Sequence, residues 1–298
     1  MKAAICQYPI DFLPSFEAWQ QKLSVLCATA ADAEAGLLVF PEYAAMELTA
    51  LQPESVRASL HDSIAALQPC RDAFLAHHRD LASQHQVTIL AGSFPWLQPD
   101  GTFTNRAWLC TPDGQTRFQD KIQMTRFERE LWSIRGGREL RTFDIPGARV
   151  GILICYDSEF PLLARRLCEA GATILLVPSC TDTPAGYHRV MLSCRARALE
   201  QQCFVLQAPT AGSAPWSPAL DVNTGQAAAF GPVDAGFPHD GILAITDPSS
   251  PHPWLFADLP LARIPAVRRR GQVTNFHDWP AHESIPCLSP ETMPPPAS

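Results

Sequence analysis

Short apolar runs alternate along this chain with helix-length segments, and that rhythm restricts it to mixed α/β architectures. Lys2–Gln7, Gly36–Phe40, Val87–Gly92, Val150–Cys155, Ala172–Val177 and Cys203–Ala208 are each long enough for a buried strand. None approaches the length that a bilayer requires. Between them, Phe16–Ala35, the region Glu54–Gln84 with a break at Pro69, Glu159–Ala170 and Tyr187–Gln201 read as helices. Thr104–Cys110 and Thr116–Lys121 flank Pro112-Asp113-Gly114, a hairpin signal, and Arg141–Ile145 is a further strand candidate. Two long helices in each half predict sheets covered by helices. No repeat or linker divides the chain, so one unit is expected over 1–280, followed by a proline-rich tail at 281–298.

Composition excludes several classes of function. With 298 residues there is enough chain for a sizeable core. A formal net charge of −7 without a basic stripe gives nucleic acid and anionic membranes nothing to hold. The start, MKAAICQYPI, lacks the apolar stretch of a secretory signal, so a cytoplasmic location is expected. The ten cysteines show no C-x-x-C pair and no zinc-ligand pattern with histidine. Most are expected to be buried, reduced thiols rather than a disulfide framework.

Chemistry concentrates where strands end. In GILICYDSEFP, Cys155 closes an apolar run, Asp157 and Ser158 could cap the next helix, and Pro161 suits its first turn. This strand–turn–helix pattern can present a nucleophile, and a helix N-terminus would lower the thiol pKa. It also fits a structural cysteine that merely ends a strand. In LLVFPEY, Glu42 follows a strand and a proline; alone it reads equally as a solvated loop carboxylate. In FQDKIQMTRFERELW, Lys121 ends a strand, and Glu128 and Glu130 follow within a run that could simply face water. Taken together, a base, a cation and a thiol at three strand ends suffice for acyl transfer through a thioester.

With these motifs in this order, the sequence resembles the carbon–nitrogen hydrolases of the nitrilase superfamily. The likeness runs from Met1 to about Asp278. It rests on FPEY around Glu42, DKI at Asp120–Ile122, and ICYDSEFP around Cys155. ARALEQQ at Ala196–Gln202 and DVNTG at Asp221–Gly225 add to it. The resemblance implies a four-layer α-β-β-α sandwich and a catalytic Glu42, Lys121 and Cys155. The Tyr156 backbone NH would serve as an oxyanion donor. A second catalytic glutamate lies in many members a short way before the glycine of a Pro-Gly turn. Counting back from Gly137 selects Glu130, with Glu128 the alternative.

The implied reaction is hydrolysis of a small amide or N-carbamoyl compound, without metal or organic cofactor, by a homodimer or larger homo-oligomer. A nitrile substrate, or a catalytically silent binding scaffold, are the alternatives. Two positions depart from the family pattern. Glu159 stands where an arginine is frequent, and Pro209 where a strand often ends in asparagine. Glu159 therefore becomes a candidate substrate contact for a basic group, unless an arginine pairs with it.

Overall fold

The computed structural model describes residues 1–247 and 252–279; the proline-rich stretch expected at 281–298 lies outside them. The predicted apolar runs form the centres of two mixed sheets. The first has the strand order Trp254–Asp258, Lys2–Cys6, Leu37–Val39, Thr88–Leu97, Phe103–Cys110, Thr116–Asp120, with Ile134–Arg135 added beside Phe103–Cys110. The second runs Ile242–Ile245, Ala228–Phe230, Phe204–Ser213, Ile174–Ser179, Ala148–Ile152, Thr142–Ile145. The central strands of each are parallel, which requires helical crossovers on the outer faces.

Period-two alternation sorts the side chains into layers. Ala3, Ile5, Leu37 and Val39 face the second sheet and share a core with Val150, Ile152, Leu176 and Leu206. Their neighbours Ala4, Cys6, Leu38 and Phe40 face the other way, onto Trp19, Leu23, Phe74 and Leu81 of the helices Phe16–Asp32 and Arg71–His85. The helices Pro161–Glu169 and Pro184–Gln201 cover the outer face of the second sheet. The result is the expected four-layer α-β-β-α sandwich. Each large aliphatic or aromatic side chain sealed in these layers contributes about 1.5–3 kcal/mol against exposure.

Three local expectations change. The helical region 54–84 breaks at Pro69 as expected, but also earlier, giving Glu54–Arg57 and Leu60–Ala66 before Arg71–His85. The strand leading to Cys155 stops at Ile152, so a buried Leu153-Ile154 link separates strand from cysteine. Asp157 and Ser158 do not cap the following helix. Its N-cap is Phe160, and Asp157 lies inside a 3-10 turn, Cys155–Glu159. Of the ten cysteines, the nine in the described residues are free thiols, and seven of them are buried. Among the described residues, no helix is long and apolar enough to cross a membrane, and no cluster of metal-ligating side chains occurs.

Candidate active site

Both sheets deliver residues to one point at their strand ends. Glu42 follows Leu37–Val39 across a Phe40-Pro41 turn. That turn lies against Gly92, where a side-chain Cβ would meet the Pro41 carbonyl oxygen at 2.1 Å. Only glycine allows this approach, and Gly92 also has a positive φ of 71°. Ser93 completes the clamp: its NH donates to Pro41 O (3.2 Å), and its Oγ accepts from the Tyr43 NH (2.8 Å). Lys121 follows Thr116–Asp120, its NH donating to Asn105 O (2.8 Å) and its carbonyl accepting from Gly137 (2.7 Å). Cys155 and Tyr43 both adopt the left-handed region, with φ of 49° and 54°. Such backbone costs on the order of 1–3 kcal/mol and persists where surroundings enforce it, often at functional sites.

The three predicted groups meet in the interior. Lys121 Nζ donates to Glu42 Oε1 at 2.8 Å and to Glu128 Oε2 at 2.6 Å, with all three side chains almost wholly buried. Glu42 Oε2 accepts from the Cys180 backbone NH at 2.9 Å. Cys155 lines the same cavity, and its thiol donates a long hydrogen bond to the Cys180 carbonyl oxygen at 4.0 Å. Above them opens a cavity of about 230 Å³, lined by the catalytic candidates, the rings of Phe127, Trp132 and Tyr156, and the side chains of Glu159 and Arg189.

Of the two glutamates considered, Glu128 and not the favoured Glu130 reaches the buried cluster. Glu128 Oε1 accepts from Tyr43 Oη (2.8 Å), and its Oε2 accepts from both Thr125 NH (3.0 Å) and Thr125 Oγ1 (2.9 Å). Glu130 points to solvent and pairs with Arg126 and Arg129. The reason is helical geometry. Arg126 and Glu130 are four residues apart, the spacing of an exposed ion pair. Glu128 shares its side of the π-helical turn Phe127–Leu131 with buried Trp132. That arginine spacing and that tryptophan were the available sequence signals.

Charge and burial together set the protonation states. Burial, reinforced by the Glu128 charge, raises the Glu42 carboxyl above the ordinary carboxylate range in spite of Lys121. Burial opposes the Lys121 ammonium, but Glu128 and Glu42 outweigh it and hold the amine well above its usual value. Burial likewise works against ionised Glu128, yet Lys121, Tyr43 and Thr125 keep its pKa below normal. Burial, aided by Glu42, pushes the Cys155 thiol well up. The expected lowering by a helix N-terminus is therefore reversed, and burial favours the thiol over the thiolate. Cys180, a cavity wall residue, is pushed up to about 12, chiefly by burial. It serves as wall and as a backbone donor.

A buried ion cluster of this kind is poor economy for stability. Breaking one costs about 3–5 kcal/mol, while well-packed apolar replacements are often as stable or more so. Its presence at the floor of a cavity points to chemistry.

Two site residues were not foreseen. Asn105, buried in Phe103–Cys110, donates through Nδ2 to Glu42 Oε1 (2.8 Å) and Glu128 Oε1 (3.2 Å). Asp157 accepts from the backbone NH groups of Gln123 (2.7 Å), Ile122 (3.1 Å) and Ile154 (3.1 Å), tying the lysine loop to the cysteine turn. Burial raises its carboxyl to about 7 against the pull of Lys121 and those NH groups. Glu159 lines the cavity but pairs with Arg189 at 3.3 Å, so an arginine does meet its charge.

Two mixed sheets in an α-β-β-α sandwich, with a buried glutamate–lysine pair and a cysteine around one cavity, define the structural class. Comparison with known proteins gives the family. The carbon-nitrogen hydrolase family model matches residues 2–244, and the chain belongs to that family. It is 31% identical over 278 residues to a probable hydrolase, YhcX, of Bacillus subtilis, covering 93% of this chain and 53% of that protein. It is 31% identical over 195 residues to an (R)-stereoselective amidase of a Pseudomonas species, covering 64% of each. The chain thus spans about half the length of the first of these relatives. Among solved structures, a carbon-nitrogen hydrolase from Helicobacter pylori superposes with a TM-score of 0.73 at 18% identity, over 96% of this chain and 94% of that one. Saccharomyces cerevisiae Nit3, of the nitrilase superfamily, superposes at 0.70 and 21%, over 90% and 93%. These structural likenesses establish the fold.

Proposed function

We propose that the protein hydrolyses a non-peptide carbon–nitrogen bond in a small amide or N-carbamoyl compound, through a thioester on Cys155. The supporting observation is a buried Glu42 carboxylate, bonded to the Lys121 ammonium, on the wall of a small cavity that Cys155 also lines. Glu42 takes the thiol proton as sulfur attacks the carbonyl carbon. The raised pKa values of both groups suit a transfer during attack rather than a standing ion pair. Lys121 and the Tyr156 backbone NH stabilise the tetrahedral oxyanion. Glu42 returns the proton to the leaving ammonia or amine. Water, activated by the same carboxylate, then releases the acid. Glu128 holds Lys121 in place and balances its charge. Glu159 and Arg189 form a polar rim that meets the distal end of the substrate.

Amides rank above nitriles because one of the relatives named above is an amidase. Product release from a panel of aliphatic amides, ω-amides of dicarboxylates, N-carbamoyl compounds and nitriles tests this. Turnover is expected in one amide-type class. Turnover of nitriles alone would transfer the chemistry to a thioimidate. No turnover, with no adduct on Cys155 by intact mass, would make the protein a binding scaffold.

We also propose a homodimer formed through the outer helices beside the site, where Leu162, Leu192 and Leu199 are exposed. Light scattering at twice the 32.7 kDa chain mass is expected; the chain mass itself would sink the idea.

A further inference from the structure

Two carboxylates facing one lysine leave the site with a surplus negative charge, and one neutral side chain is placed to absorb it. Asn105 is fully buried, and its single amide nitrogen donates to both Glu42 Oε1 and Glu128 Oε1. Its backbone carbonyl accepts the NH of Lys121. It thereby touches every member of the ionised cluster. Its orientation is dictated by charge. Turned over, the amide would set Oδ1 against two carboxylate oxygens, a contact of acceptors with no proton between them. As it stands, Oδ1 has no protein donor among the described residues. The fold accepts that deficit in order to keep both N–H bonds on the carboxylates.

We propose that Asn105 is the positioning residue that tunes Glu42 as a base. It keeps Glu42 ionised at working pH and holds its Oε1 on the lysine side, which frees the rest of the carboxylate for the thiol. This rests on the reading of Glu42 as the base of Cys155. Asn105 acts only through Glu42 and Glu128. A hydrogen bond to an ionised group favours the charged form, so its removal raises the carboxyl pKa. In wild type, burial already raises Glu42. Without the Asn105 donor, the carboxylate should protonate at a still higher pH.

The test needs no substrate. Alkylation of Cys155 by iodoacetamide is followed by peptide mass across pH in wild type, Asn105→Ala, Asn105→Ser and Glu42→Gln. The low-pH edge of reactivity is expected to move up by about one pH unit or more in both Asn105 variants, a tenfold loss of rate at a fixed pH on that edge. A residue that only packs would alter melting temperature without moving the edge. An unmoved edge in a folded Asn105 variant overturns the proposal; the serine variant, which fills more of the space, serves if the alanine variant does not fold. Glu42→Gln separates the two levels. If its profile matches wild type, the base reading itself fails. If its profile changes while the Asn105 variants follow wild type, only the role of Asn105 falls.

Discussion

Cys155→Ala is expected to abolish turnover, to the background of the uncatalysed reaction, while leaving the fold intact. The side chain loses one sulfur atom at the edge of a cavity, so the packing loss is small beside the chemical one. The remaining groups cannot substitute. Cys180 lines the same cavity, but burial pushes its thiol up to about 12 and Glu42 meets its backbone NH rather than its sulfur. Intact mass should show a transient acyl adduct on the wild type and none on the variant. Retained turnover in a variant preparation free of wild-type enzyme would remove Cys155 from the mechanism.

Lys121→Ala is expected to do two kinds of damage. Loss of an oxyanion donor costs about 3–4 kcal/mol of barrier, roughly 10²–10³ in rate. Loss of the cation also leaves Glu42 and Glu128 buried together without compensation, which destabilises by about 3–5 kcal/mol. The second effect carries a pH signature. In wild type, Glu128 is held below the ordinary carboxylate range by Lys121, although burial opposes this. It thus contributes stability above the unfolded carboxylate pKa, and that contribution is lost as pH falls through its lower folded value. Without the lysine, burial and mutual repulsion raise both carboxyls. Folded pKa values above the unfolded ones reverse the slope, so the variant should be most stable in acid and weaken as pH rises through them. Denaturant midpoints of variant and wild type, compared from acid to neutral pH, should diverge with rising pH; parallel curves would show that Lys121 does not neutralise the pair. The neighbouring glutamates sharpen the point. Glu128→Gln should lower turnover strongly, whereas Glu130→Gln, with its exposed arginine partners, should stay within about 0.5 kcal/mol of wild-type stability and keep its rate. The reverse pattern would restore Glu130 to the site.

Much of this site could be read from the chain because Glu42 and Cys155 follow apolar runs and Lys121 directly follows the second strand of a hairpin. Period and composition locate strands well, and strand ends in layered α/β folds gather on one side. What escaped depended on groups remote in sequence. Asp157 precedes a proline-started helix and has the appearance of a cap. Its actual partners at Ile122 and Gln123 lie 35 and 34 residues away. Asn105 sits between Thr104 and Arg106 in a strand whose polar residues suggest solvent, and only the arrival of Glu42 and Glu128 explains its burial. Counting back from Gly137 favours Glu130 over Glu128 because it takes no account of the π-helical turn Phe127–Leu131, which turns Glu128 inward. The exposed-pair spacing of Arg126 and Glu130 was the better guide.

The distribution of the cluster over two sheets has a consequence for the order of assembly. The bond between Glu42 and Cys180 joins positions 138 apart, and that between Lys121 and Glu42 positions 79 apart. Contacts so distant along the chain form late, after the loop-closure cost has been met. Until the sheets dock, Glu42 lacks both the Cys180 NH and the full burial that raises its pKa. On the proposed mechanism, Cys155 in the unfolded chain is an ordinary thiol, and it gains its base only when the two sheets come together.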